Sequence, residues 1–249
     1  MKTIFDIGMF DASDTAYYLD EGFRVVAVEA NPALAERACH SLASYIDSGR
    51  LQVLNVAIST DNRPVTLSVC GDDLGSSSIY KASVAHRNPI GSYSVPGLTA
   101  SELFDQHGVP CYLKIDIEGA DSVCVMALTK AAKPDYLSFE MGLDSEDLIK
   151  HISGIGFSRF KIINQCSFRE LSHQNNLCDR IERKAVRLLG FAEPQYIKRK
   201  GRLFAIGHSS GPVPWCSDGH WCSQPEVLKK WRRVQASNHG NVWYDLHAA

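Results

Sequence analysis

Residues 2–32 read KTIFDIGMFDASDTAYYLDEGFRVVAVEANP, and this stretch decides the fold. It opens on an apolar run over 2–7, and FRVVAV at 23–28 is a second; runs of this length, rich in Ile, Val and Phe, predict buried strands. Between them Ser13 or Asp14 offers a helix N-cap and Gly22 a stop. Asn31-Pro32 then starts a second helix in the preferred manner, a capping Asn followed by Pro at the first helical position. Leu34, Ala38, Leu42, Tyr45 and Ile46 recur on one face of it. Strand, helix, strand, helix in such short order is the repeating unit of a parallel sheet covered on both faces.

The alternation continues outward. A third strand is expected over 51–58 and a hairpin-like addition over 64–69, then a long loop over 71–97, rich in Gly, Ser and Pro, along the sheet's edge. A helix over 99–107, a strand over 111–115 and a helix over 119–131 follow. Strands at 136–140 and 159–164 flank a helix at 144–153, and 203–207 supplies the last strand. The expectation is an α/β fold with a mostly parallel seven-stranded sheet and helices on both faces. One domain would span 1–249: a core of 1–164 and 202–208, an insert or lid at 165–201, and a C-terminal tail, 209–249. That tail carries the chain's four tryptophans, which argue that it is docked.

Composition narrows the function classes. With 249 residues, 45% hydrophobic and 22% charged, the chain has material for a sizeable core. A net charge of −2 argues against a nucleic-acid binder. No run approaches the roughly 20 apolar residues of a spanning helix, and MKTIFDIG lacks an apolar signal region, so a cytoplasmic protein is expected. Of eight cysteines, six are scattered as small hydrophobes; Cys216 and Cys222, with His208 and His220, match no common zinc spacing, and no metal is expected. Eight basic residues within 180–202 read as a solvated helix face, or, as the sharper alternative, as an electropositive lid over an anionic substrate.

The chemistry gathers at strand ends. Asp6-Ile7-Gly8 closes the first strand and Glu29 the second, and doubly wound folds bind ligands beyond the carboxyl ends of their strands. Glycine lets backbone approach the ligand closely, and a carboxylate ending the second strand can accept from both hydroxyls of a ribose. The loop GMFDASD (8–14) has one glycine and two acids, where a dinucleotide needs G-x-G-x-x-G and a site free of repulsion toward pyrophosphate. It suits a cationic, phosphate-free nucleoside such as S-adenosylmethionine. A third signal, YLKIDIEGAD (112–121), brings Asp116 to the same edge; Glu118 and Asp121 complement the dipole of the helix that follows.

DIG (6–8), VVAVEANP (25–32), NVAIS (55–59), LKIDIEGAD (113–121) and SFE (138–140), in that order, make the chain resemble the FkbM-type methyltransferases. SSGP (209–212) and WYDLHA (243–248) look like a branch of that family. The resemblance implies a Rossmann-like class I methyltransferase fold and an S-adenosylmethionine-dependent O-methyltransferase. Glu29 would bind ribose, Gly8 would border the methionine moiety and Ala57-Ile58 would lie by the adenine, with Asp6 and Asp116 completing the cofactor set. Two departures stand out: Ala12 where the family commonly has a second glycine, and Asp121 where it more often has Glu. Because an alcohol acceptor gains from a general base, Asp116 is the preferred candidate, Glu140 the next, and His86 a third that closure of the long loop would deliver. The expected acceptor is a hydroxyl of a small molecule or glycan, anionic if the basic segment is a lid. A nucleoside-binding member without activity is the alternative, and an NAD-dependent sugar-modifying enzyme a weaker one.

Overall fold

The first two apolar runs become β1 (Thr3–Ile7) and β2 (Arg24–Val28), parallel and in register from Thr3↔Arg24 to Ile7↔Val28. The structure, a computed structural model, describes residues 1–70, 77–80, 89–171, 196–206, 209–236 and 243–249, which fall into two compact units, 1–135 and 136–249. In the first unit β3 (Leu51–Leu54) and β8 (Tyr112–Ile115) extend the parallel sheet to the order β8-β1-β2-β3. Ile4, Phe5, Ile7, Val25 and Leu113 are wholly enclosed. Each such side chain contributes about 1.5–3 kcal/mol by leaving water, which fixes the strand ends where chemistry was expected.

Helices α1 (Ser13–Asp20), α2 (Pro32–Ser41), α3 (Ala43–Asp47), α4 (Ala100–His107) and α5 (Asp121–Met126) connect these strands. Asn31 caps α2 as expected, its side chain accepting from the Ala33 amide at 3.1 Å, and Leu34 and Ala38 are buried. The start of α1 differs. Neither Ser13 nor Asp14 caps it; the cap is Ala12, in left-handed backbone with no side-chain bond, because the Asp11 carboxylate takes the Ser13 amide at 2.9 Å.

The run 51–58 breaks in two, since β4 (Ala57–Ile58) pairs in parallel with β7 (Gly97–Leu98) instead of continuing β3. The expected loop 71–97 also holds a strand: β6 (Pro89–Val95) runs antiparallel to β5 (Val65–Cys70). Its sequence, PIGSYSV, leaves all but Val95 exposed, so little hydrophobic pattern marks it; the backbone ladder holds it. Ala57, Leu67, Val69 and Val95 form a small core beneath this arm.

The second unit corrects the expectation of a mostly parallel, seven-stranded sheet. β9 (Tyr136–Glu140), β10 (Phe160–Asn164), β11 (Arg169–Glu170) and β14 (Tyr244–Ala248) lie in the order β11-β10-β14-β9, every pairing among them antiparallel. In the first unit the pairs β8-β1, β1-β2 and β2-β3 are parallel. The strand expected at 203–207 is not the last of this sheet over its described residues, 203–206: β13 (Arg202–Ala205) pairs with β12 (Tyr196–Arg199) in a separate hairpin. That last place belongs to the tail, whose YDLHA is buried at all five positions. Asp245 and His247 disguise it as a polar terminus, but Gln165 donates to Asp245 at 2.6 Å and His247 Nδ1 lies 3.3 Å from Ser217 Oγ. Helices α6 (Ser145–Gly154) and α7 (Gln224–Ala236) also belong to this unit. Lys161, buried in β10, donates to the Pro214 and Ser217 carbonyls and to Ser217 Oγ, pinning the segment before α7. Among the described residues no helix is long and apolar enough to cross a membrane.

Candidate functional site

Gly8, one residue beyond β1, sits at φ +83°, and a Cβ there would lie 1.8 Å from the Asp116 carbonyl oxygen. The turns after β1 and β8 therefore touch, and only glycine permits it. Gly8 and Met9 both donate to the Val28 carbonyl, at 2.9 and 3.1 Å, and Phe10 donates to Glu29 Oε2 at 2.8 Å. Glu29 Oε1 accepts from the Asn31 amide at 2.7 Å. Each Glu29 oxygen thus holds one backbone amide and keeps a further lone pair for a ligand. Burial pushes the Glu29 carboxyl above the ordinary glutamate value, against the pull of the Asn31 and Phe10 amides.

A cavity opens over this turn, all its lining drawn from the first unit. Gly8, Glu29, Ala57, Ile58 and Asp116 line it together, although 108 positions separate the first from the last. Val28, Leu34, Leu67 and Ile79 extend the apolar wall that Ala57 and Ile58 begin. Its ionisable lining consists of Glu29, Asp116 and Glu118, with no Lys, Arg or His among the described residues. Glu118 is left-handed (φ 40°), and its carbonyl accepts from Ser78 Oγ at 2.7 Å, which ties the arm of β5 and β6 to the turn after β8.

Two residues of the site read differently from expectation. Asp6 is fully enclosed and does not line the cavity; Thr15 Oγ1 donates to it at 2.6 Å and Lys114 pairs with it at 3.2 Å. Ala12, at φ 66°, also stays outside the lining, so the departure from glycine there bears on backbone strain. Lys114 is the residue that sequence reasoning passed over. It is 2% exposed, donates to the Gly8 carbonyl at 3.0 Å, and lies 3.6 Å from Asp116, whose own side chain is 30% exposed. Burial opposes its charge, but Asp6, Asp116 and Asp14 outweigh it and hold the ammonium above the ordinary lysine range. A lone lysine inside an apolar strand (YLKI) with acids at both neighbouring strand ends was the available signal.

The other candidates lie elsewhere. Glu140 ends β9 in the second unit, directly opposite Asp245 on β14. His86 and most of the basic segment, 180–195, fall outside the described residues. No cluster of three or more His, Cys, Asp or Glu side chains placed to hold a metal ion occurs among the described residues. Cys222 is a free thiol donating to the Phe160 carbonyl at 3.2 Å, and Cys216 is free and exposed.

A parallel sheet with a bare glycine and two carboxylates beyond its carboxyl edge has the architecture of the α/β proteins that bind ligands at that edge. The family is specific: the methyltransferase FkbM domain matches residues 6–169, about two thirds of the chain, and the chain belongs to that family. Among solved structures, methyltransferase FkbM from Methylobacillus flagellatus KT is similar at a TM-score of 0.45 and 16% identity, over 66% of this chain and 39% of its own. The chain therefore spans about two fifths of that protein's length. Precorrin-6y C5,15-methyltransferase from Geobacter metallireducens GS-15 aligns at a TM-score of 0.42 and 11% identity, over 100% of this chain and 78% of its own. No curated protein matches.

Proposed function

We propose that this methyltransferase-family chain uses S-adenosylmethionine to methylate a hydroxyl of a small molecule or glycan. The observation that carries the reading is the cavity itself: an apolar wall, a carboxylate with one spare lone pair on each oxygen, and an end lined by Asp116 and Glu118 with no Lys, Arg or His in the lining among the described residues. Ala57 and Ile58 suit the face of an adenine, Glu29 the two ribose hydroxyls, and the bare Gly8 backbone the amino-acid moiety. A dinucleotide fits less well, because its pyrophosphate would meet the Asp116 and Glu118 carboxylates of the lining.

The bound cofactor supplies an already activated methyl group, so the protein's work is alignment and proton removal. Gly8, packed against the Asp116 carbonyl, would hold the amino-acid end of the cofactor against the cavity's backbone. In this reading the Asp116 carboxylate, partly exposed at the cavity and 3.6 Å from the Lys114 ammonium, takes the acceptor's proton. Calorimetric titration with S-adenosylhomocysteine tests the binding half. Saturable binding that disappears in Glu29→Ala, in a protein that still melts cooperatively, is the expected result. Unchanged affinity in that variant would remove the ribose assignment. Asp116→Asn is expected to keep binding within a few-fold of the parent while methyl transfer to a supplied alcohol falls 10²-fold or more.

A further inference from the structure

Lys114 spends a buried ammonium where an apolar residue would pack at lower cost, and a buried charge survives only where its partners are well placed. Its partners are unusual in kind. Two are carboxylates, Asp6 and Asp116, and the third is the backbone carbonyl of Gly8. The turn over residues 8–10 has its Gly8 and Met9 amides on Val28 and its Phe10 amide on Glu29, so β2 and the residue closing it hold every N–H. The Gly8 carbonyl is held from β8, by Lys114 alone among the described contacts. That hold matters because Phe10 is left-handed at φ 52°, a conformation a non-glycine residue keeps only when its surroundings impose it. The same ammonium fixes the carboxylate that faces the cavity from the other side.

We infer that Lys114 is a positioning residue: by gripping the Gly8 carbonyl and the Asp116 carboxylate together it sets the 8–10 turn and the acidic wall in the one arrangement that receives a nucleoside. The binding half of this inference rests on the cofactor reading above; the turn-setting half does not. The rival explanation is that Lys114 merely neutralises Asp6. The paired variant Asp6→Asn/Lys114→Met separates them, because it removes both charges and keeps the volume, so a neutralising role needs no replacement.

Two readouts decide. In the cofactor-free protein, amide exchange at Met9 and Phe10 is expected to quicken at least tenfold in the paired variant relative to the Phe5 and Val26 amides of the same molecule. In titration, its dissociation constant for S-adenosylhomocysteine is expected to rise at least tenfold. Exchange and affinity both within twofold of the parent would overturn the inference. Should the paired variant not fold, the ¹⁵Nζ resonance of Lys114 in the unmodified chain replaces it: a shift on saturation with S-adenosylhomocysteine supports positioning, and an unmoved resonance in a protein that binds overturns it. If the parent itself does not bind S-adenosylhomocysteine, the cofactor reading fails, and the exchange comparison still decides whether Lys114 sets the turn.

Discussion

Gly8 and Ala12, four positions apart, face opposite steric problems. At Gly8 the left-handed backbone coincides with a carbonyl oxygen 1.8 Å from where a Cβ would stand, and that oxygen is backbone and cannot turn aside. Gly8→Ala is expected to cost about 3 kcal/mol, left-handed strain and overpacking combined, and to abolish S-adenosylhomocysteine binding; urea unfolding and calorimetry measure the two. At Ala12 the same conformation is carried by a residue with a Cβ (φ 66°). Ala12→Gly relieves about 1–2 kcal/mol of strain and gives back part of it through a looser unfolded chain, for a net gain of about 0.5–1 kcal/mol. A raised urea midpoint with unchanged slope would register it. Glu29 carries a pH prediction. Burial raises its carboxyl pKa, and the bound state needs the carboxylate, so binding should fade on acidification while the pH is still above the ordinary glutamate value, and Glu29→Gln should show no such limb. Stability of the free protein moves the other way, since a carboxyl whose folded pKa exceeds its unfolded one gains stability as pH falls through that window.

Helix α4 tests whether an element can be weakened without touching the site. Thr99 Oγ1 accepts from the Glu102 amide at 3.2 Å and its hydroxyl lies 3.1 Å from the Glu102 carboxylate, a cap closed by both side chains. Thr99→Ala is expected to cost about 1 kcal/mol of stability and to leave S-adenosylhomocysteine affinity unaltered. Elements of this kind were legible: β1, β2, β8 and α2 announce themselves through mostly apolar runs or an Asn-Pro start, and they bring Gly8, Glu29 and Asp116 to one cavity. What stayed hidden did so for identifiable reasons. β6 has an exposed, Ser-rich sequence held by its ladder; β14 buries an Asp and a His that only tertiary partners satisfy; and the start of α1 is settled by an Asp11 turn that outcompetes the expected caps. Lys114 escaped because one charge in a strand reads as a solvent-facing position, and the acids that enclose it come from residues 6, 14 and 116.

Acid sensitivity of the folded chain should reside largely in the second unit. His247 is completely buried beside Ser217 and the Lys161 ammonium; burial first, and Lys161 second, push its pKa down to about 3 from an ordinary value of 6.5. Unfolding lets it take a proton, so stability present above pH 6.5 is lost as pH falls toward 3, by up to about 1.4 kcal/mol per pH unit. A urea series across that range should show the slope, and His247→Gln should flatten it. His247 belongs to β14, and that strand has a consequence for how the chain is made. Residues 244–248 leave the ribosome after every other strand of their sheet, yet they are the ones both neighbours wait for. Until they emerge, β9 and β10 offer bare edges of the sort that chaperones shield and proteases find. A chain released before residue 244 would therefore keep both of those edges open, however well the strands before it had formed.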